Sequence, residues 1–255
     1  MPEILGVRVD NLNLREARAK VREFLSSGGQ HKIFTPNPEM AVKAHKDKKF
    51  QSVLNRGQLN LCDGFGLCLF SGTPRITGAD FILDIGRIAA EQGKSVFLLG
   101  SGSNDIAARA AKKMGEIIPG LKIAGFSQGP DFTEADLDTQ ADKIKHDEVV
   151  QKINESGAQV LFVAFGMGKQ EKWIDEYLPK MPQIKIAKGV GGTFDFLAGV
   201  VPRAPRLMRQ LGLEWLYRLF KQPKRFWRIF NATAVFTSLV VLDKFKKKNY
   251  KAKSI

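Results

Sequence analysis

Asp63 stands in LNLCDGFGLCLF, a carboxylate between two apolar runs. A carboxyl pressed against apolar neighbours has a raised pKa, which suits a general base that takes a proton from a hydroxyl. The same Asp-Gly pair is also an ordinary turn former. Upstream, KIFTPNPEM fences Asn37 between Pro36 and Pro38. Residues that precede proline are pushed into extended geometry, so Thr35 and Asn37 sit on stiff backbone. Asn37 is a good N-cap and Pro38 suits the first helical position. The stretch reads as strand, two-proline corner, helix. Such a corner either aims fixed polar side chains and a positive helix end at one place, or does no more than start a helix.

Other spacings carry less. GSGSND, from Gly100, has Asp105 where a third glycine would complete a dinucleotide fingerprint. It is either a plain strand-to-helix turn or a set of backbone N–H groups offered to a phosphate. GMGKQE, from Gly166, has neither the glycine spacing nor the Ser/Thr of a P-loop, which excludes nucleotide hydrolysis through it. ADLDTQAD places Asp136 and Asp138 as a D-x-D, but in a charged stretch that reads as a solvated helix face. His31, His45 and His146 have no metal-ligand spacing, and no G-x-S-x-G elbow occurs. No metal and no cofactor are expected.

The elements that must position these residues alternate. Apolar runs at KIF, SVFLLG, KIAGF, QVLFVAF and IKIAKG are strands, each followed by Gly-rich or polar punctuation. Amphipathic stretches lie between them, including one helix from the two-proline corner to about Arg56-Gly57. Strand–helix alternation predicts an α/β fold: a Rossmann-like parallel sheet with helices on both faces. Ligands of such sheets bind beyond the carboxyl ends of the strands. Thr35, Asn37, Asp63, Gly100 and Gln170 all fall there.

The chain has 255 residues, 44% of them apolar, enough for one large domain or a domain with an appendage. Two cysteines, Cys62 and Cys68, exclude a disulfide framework and suggest a reducing compartment. No basic-then-apolar leader opens the sequence, so no secretory signal is expected. Charge divides the chain: of the net +14, residues 203–255 carry +12. A nearly neutral body, 1–202, therefore bears a basic, aromatic-rich appendage, 203–255, that calls for an anionic partner. That appendage runs from a basic-aromatic helix, broken near Pro223, through RFWRIF to IFNATAVFTSLVVL and a Lys-rich end. Fourteen apolar residues reach about 21 Å as a helix, short of the ~30 Å bilayer core. The run fits an interfacial helix on an anionic membrane, with Trp215, Tyr217, Phe226 and Trp227 at headgroup level, or else a core helix with a solvated end. A nucleic-acid-binding arm would not need the apolar run, so no nucleic acid is expected.

Taken in order, TPNPEM, CDGFG, RITGAD, VFLLG, FGMGKQEKWI, GVGGTFDFLAG, RAP and GLEWLYRLFKQPKRFWR resemble the WecG/TagA/CpsF family of glycosyltransferases, glycosyltransferase family 26. The resemblance runs from Thr35 to about Arg228. It implies an inverting, metal-independent transfer of an N-acetylhexosamine, often of N-acetylmannosamine type, from a UDP-sugar to a polyprenyl-diphosphate-linked sugar. The setting it implies is bacterial surface polysaccharide or teichoic acid synthesis, with the enzyme cytoplasmic and peripheral on the inner face of the membrane. By position, Asp63 matches the proposed base, and Thr35 and Asn37 match the polar corner of the substrate pocket. Arg75 and Gln170 match residues around the substrate; Arg218, Arg225 and Arg228 match arginines of the C-terminal appendage that would meet diphosphate. The family usually has proline before Lys-Gln-Glu, where Gly168 stands here. A homo-oligomer is left open, as is a non-catalytic nucleotide-binding or basic membrane- or nucleic-acid-binding protein on the same fold.

Overall fold

The computed structural model describes residues 1–100, 102–134, 140–221, 223 and 226–253, without the side chains of 140–142, 218 and 246–253. A short antiparallel hairpin, β1 (Glu3–Ile4) and β2 (Val7–Arg8), precedes α1 (Leu14–Ser26). Helix α1 begins on a capping box in which Asn13 and Glu16 satisfy each other's backbone N–H. Then follow β3 (His31–Phe34), α2 (Pro38–Lys46), α3 (Lys48–Asn55), β4 (Leu59–Asn60), α4 (Phe65–Ser71) and α5 (Gly78–Glu91). The second half-sheet contributes β5 (Ser95–Gly100), α6 (Asn104–Ile117), β6 (Lys122–Ser127), α7 (Gln140–Ser156), β7 (Val160–Ala164), α8 (Lys169–Tyr177) and β8 (Ile186–Gly189). The chain closes with α9 (Thr193–Leu197), α10 (Arg206–Gln210), α11 (Glu214–Lys221), α12 (Phe226–Phe230), one π-helical turn (Asn231–Val235) and α13 (Phe236–Lys253).

Six strands form one parallel sheet in the order β4-β3-β8-β7-β5-β6. Alternation splits each strand between two cores: Ile33, Phe162 and Ile186 face one side, and Phe34, Leu161, Val163 and Ala187 the other. The chain leaves β3 outward to β4, while β8 arrives at the other flank of β3 from β7. The β3/β8 crevice is therefore a switch point, where such sheets place ligands.

Two expectations change. The helix after the proline corner is two helices, because Asp47 ends α2 and its carboxylate accepts from the Phe50 N–H at 2.9 Å to cap α3. The apolar tail is longer than the 14-residue run, because the π turn joins α12 to α13. Phe226–Phe245 gives 20 residues of mean hydropathy 1.2, about 30 Å of helix and long and apolar enough to cross a membrane by those measures. Yet Phe236 and Val240 are fully buried in a third core with Ile4, Leu5, Val9, Ala41 and Leu67. One face of this helix packs on the protein body, while Thr237, Ser238, Val241 and Leu242 on its other faces are exposed.

Candidate active site

Asp63 is held by the two-proline corner. Its backbone N–H donates to the Pro36 carbonyl at 2.8 Å, and Leu61 N–H donates to Phe34 O at 3.0 Å. Across the corner, Asn37 Oδ1 accepts from Met40 N–H at 2.9 Å and Pro38 opens α2. Gly64 completes the fit: its φ is +86°, and a Cβ there would lie 2.7 Å from Pro38 Cδ. The Asp63 carboxylate then points at the start of α5, where Oδ2 accepts from Gly78 N–H at 3.0 Å. A Cβ on Gly78 would lie 2.6 Å from Thr35 Oγ1 and 3.3 Å from Asp63 Oδ2, so these two polar groups flank the same bare α-carbon.

Burial raises the Asp63 carboxyl above its ordinary value; the Gly78 N–H, Arg75 and Lys188 pull it back, and Glu214 adds to the rise. Lys188, on β8, is fully enclosed. Its ammonium donates to Gly189 O at 3.0 Å and lies 3.5 Å from Thr35 Oγ1. Burial pushes it down to about 8, against the upward pull of Asp63 and Glu171. Burial likewise raises Glu171, which accepts from Gln170 Nε2 at 2.7 Å and from Gly168 N–H at 2.7 Å.

A cavity of about 540 Å³ opens over Asp63. Its floor is polar, with Asn37, Asp63, Arg75 and Thr77. One wall comes from α4 through Phe65, Leu69 and Phe70, and the opposite wall from the C-terminal helices through Glu214, Trp215, Arg228, Ile229 and Phe236. The C-terminal segment is clasped at the N-terminus of α5. Arg203 donates to both Asp80 oxygens (2.5 and 3.3 Å), Thr77 Oγ1 donates to Asp80 Oδ2 at 2.6 Å, and Arg75 Nη1 donates to the Arg209 carbonyl at 2.9 Å. Burial works to raise Asp80, but the Arg203 and Thr77 hydrogen bonds outweigh it and hold the carboxyl below its ordinary value.

The expected site residues fall into groups. Asn37, Asp63, Arg75 and Arg228 line the cavity. Thr35 sits beside it on the Gly78 and Lys188 side. Gln170 is buried deeper and braces the glycine turn after β8, its Oε1 accepting from Gly191 N–H at 2.9 Å. Gly100, φ +111°, closes on β7: a Cβ would lie 2.7 Å from the Ala164 carbonyl carbon, so its bareness serves the approach of two strand ends. Arg228 makes a two-point ion pair with Glu39. Arg218 is in α11 with its side chain outside the described set, and Arg225, Asp136 and Asp138 lie outside the described residues. Among the described residues no group of three or more His, Cys, Asp or Glu could hold a metal ion. Gly168, at φ +90°, has a conformation closed to proline.

Sequence reasoning missed Lys188, Glu39, Glu171 and the Asp80–Arg203 clasp. Lys188 left a signal, a cation between the apolar Ile186-Ala187 pair and Gly189 in the strand. Glu171 takes its hydrogen bonds from Gly168 and Gln170 beside it, while Glu39 and the Asp80–Arg203 clasp are defined by partners far along the chain.

A carboxylate at strand ends, beneath a cavity lined by Arg75, Arg228, Glu39, Glu214 and apolar side chains, is the arrangement of an α/β enzyme site. Residues 2–250 match the Glycosyl transferase WecG/TagA/CpsF family, and the chain belongs to it. The chain is 32% identical over 224 residues (86% of this chain, 82% of the relative) to the N-acetylglucosaminyldiphosphoundecaprenol N-acetyl-beta-D-mannosaminyltransferase of Bacillus subtilis (strain 168). It is 27% identical over 259 residues (98% and 95%) to the protein of the same name from Staphylococcus aureus (strain MRSA252).

Proposed function

We propose that this chain transfers an N-acetylmannosaminyl group from a UDP-linked donor to an N-acetylglucosaminyl-diphospho-polyprenol, with inversion and without a metal ion. The names of its relatives support the donor sugar and the acceptor. The observation that carries the chemistry is Asp63, raised by burial yet open to the cavity. In a single displacement the acceptor hydroxyl gives its proton to Asp63, its oxygen bonds the sugar's anomeric carbon, and UDP leaves with the electron pair. Departing diphosphate needs positive groups already aimed at it. The strand-end glycine turns supply the donor side, with Lys188 buried behind Thr35 adding positive potential without touching the substrate; Arg75, Arg228 and, by position, Arg218 and Arg225 supply the acceptor side.

Residues 1–202 would then be the catalytic domain and 203–255 an appendage that completes the acceptor cavity. Trp215, Phe220, Trp227 and Phe245 remain exposed on that appendage. They suit a peripheral hold on the anionic inner face of the membrane, with the lysines of α13 as counterions to lipid phosphate. The burial of Phe236 and Val240 favours a helix lying on the surface over one that crosses it.

The test is transfer by the purified full chain from UDP-N-acetylmannosamine to a short-chain N-acetylglucosaminyl-diphospho-lipid, followed by mass spectrometry. Asp63→Asn should melt normally and lose at least ~10²-fold in turnover. Near-normal turnover in that variant would remove Asp63 as the base; transfer only from another UDP-sugar would overturn the donor.

A further inference from the structure

Arg228 and Glu39 face each other at the cavity edge. Arg228 Nε donates to Glu39 Oε1 at 2.8 Å and Nη2 to Oε2 at 3.0 Å, a bidentate pair joining α12 to the first turn of α2. Both residues line the cavity. Arg228 is half-exposed and Glu39 about one-fifth exposed, so the pair sits at the cavity rim and not on the open surface. Glu39 already sits in the first turn of a helix, where a carboxylate is favoured without any partner. The tail is also held to the body by Phe236 and Val240.

What the pair does fix is the plane of a guanidinium. Glu39 takes Nε and one Nη2 hydrogen, and Nη1 makes no hydrogen bond among the described residues. An arginine on an exposed helix end has many rotamers, and a bidentate carboxylate selects one of them. We propose that Glu39 is a positioning residue, which holds Arg228 so that its remaining N–H groups meet the diphosphate of the lipid-linked acceptor. This rests on the reading of Arg228 as a diphosphate-binding residue. Glu39 gives up some attraction, since it partly neutralises the arginine, and gains orientation, which a cavity selecting one pose of a flexible lipid diphosphate needs. The sequence carries both halves, in TPNPEM and in RFWR, 189 residues apart.

The experiment is a double-mutant cycle with the full chain, UDP-N-acetylmannosamine and a short-chain N-acetylglucosaminyl-diphospho-lipid. Glu39→Ala should raise the acceptor KM about tenfold and leave the donor KM and the melting temperature unchanged. Glu39→Gln, which keeps one accepting oxygen, should fall between. Arg228→Ala should lose more, and the double variant no more than Arg228→Ala alone. Additive losses, or an unchanged acceptor KM in Glu39→Ala, would overturn the positioning role while leaving Arg228 on the diphosphate. A lower acceptor KM in Glu39→Ala would overturn it by showing Glu39 to compete with the diphosphate. An Arg228→Ala enzyme of normal acceptor KM would remove both the positioning role and the reading beneath it.

Discussion

Replacing Lys188 by methionine separates the cost of the site from its use. The ammonium is fully buried and holds a proton only up to about pH 8, where an ordinary lysine does so to 10.5. That gap of roughly 2.5 units corresponds to about 3 kcal/mol by which the charged form disfavours the folded state. The figure already contains the attraction of Asp63 and Glu171, since the value of about 8 is reached with both pulling upward. Below pH 8 the folded and unfolded chains both carry the proton, and the penalty is present in full. Between pH 8 and 10.5 the unfolded chain binds more protons than the folded one, so stability rises with pH and the penalty fades. In Lys188→Met this rise is absent. Urea unfolding of both proteins at pH 7 and pH 10.5 should therefore show the parent gaining about 3 kcal/mol on the variant between the two conditions. A stability difference that stays constant across that window would refute the depressed lysine. The same variant should lose activity below pH 8. Without the neighbouring cation the Asp63 carboxyl rises further, and the acid limb of kcat/KM moves to higher pH. An acid limb that does not move would show that Lys188 has no effect on Asp63.

Gly78→Ala places a methyl against Thr35 Oγ1 and Asp63 Oδ2; it should lower kcat about 10–100-fold and cost about 1–3 kcal/mol in stability by overpacking, and an unchanged kcat would show that Asp63 needs no such placement. Activity should survive excess EDTA, and complete loss restored by Mn²⁺ or Mg²⁺ would return attention to Asp136 and Asp138. Phe236→Ala empties a fully buried site in the third core and should cost about 3–5 kcal/mol in urea unfolding. A loss well under 1 kcal/mol would mean that the C-terminal helix is not part of the cooperative unit.

The α/β alternation was legible because its signals are local: apolar runs of strand length, glycine turns, and the Asn37-Pro38 start of α2, which caps as its residue types require. The order of the sheet was not, because β3, β8 and β7 are neighbours through pairings that no local pattern encodes. β4 is only two residues long, and α4 hid inside FGLCLFS, too short to show a period. Asp63 was legible as a carboxylate among apolar residues, while its hydrogen bond to Gly78 was not. The tail was legible as basic, aromatic and apolar. That one face of it would sit in the core beside Ile4 and Val9 depends on shape, which charge and hydropathy do not report.

The core that joins residues 4–9 to residues 236–240 also orders events in time. A ribosome delivers Ile4, Leu5 and Val9 near the beginning of synthesis and their partners Phe236 and Val240 more than two hundred residues later, at about 5–20 residues per second. Until then the hairpin face is only partly covered, and the cavity over Asp63 lacks the end of its C-terminal wall. A chain clipped before residue 236 keeps Trp215, Arg228 and Ile229 but loses the Phe236 and Val240 cover over Ile4, Leu5 and Val9, leaving the kind of apolar patch that chaperones and proteases grip. Phe236 belongs both to the cavity wall and to the third core, so the step that conceals the patch also finishes the wall.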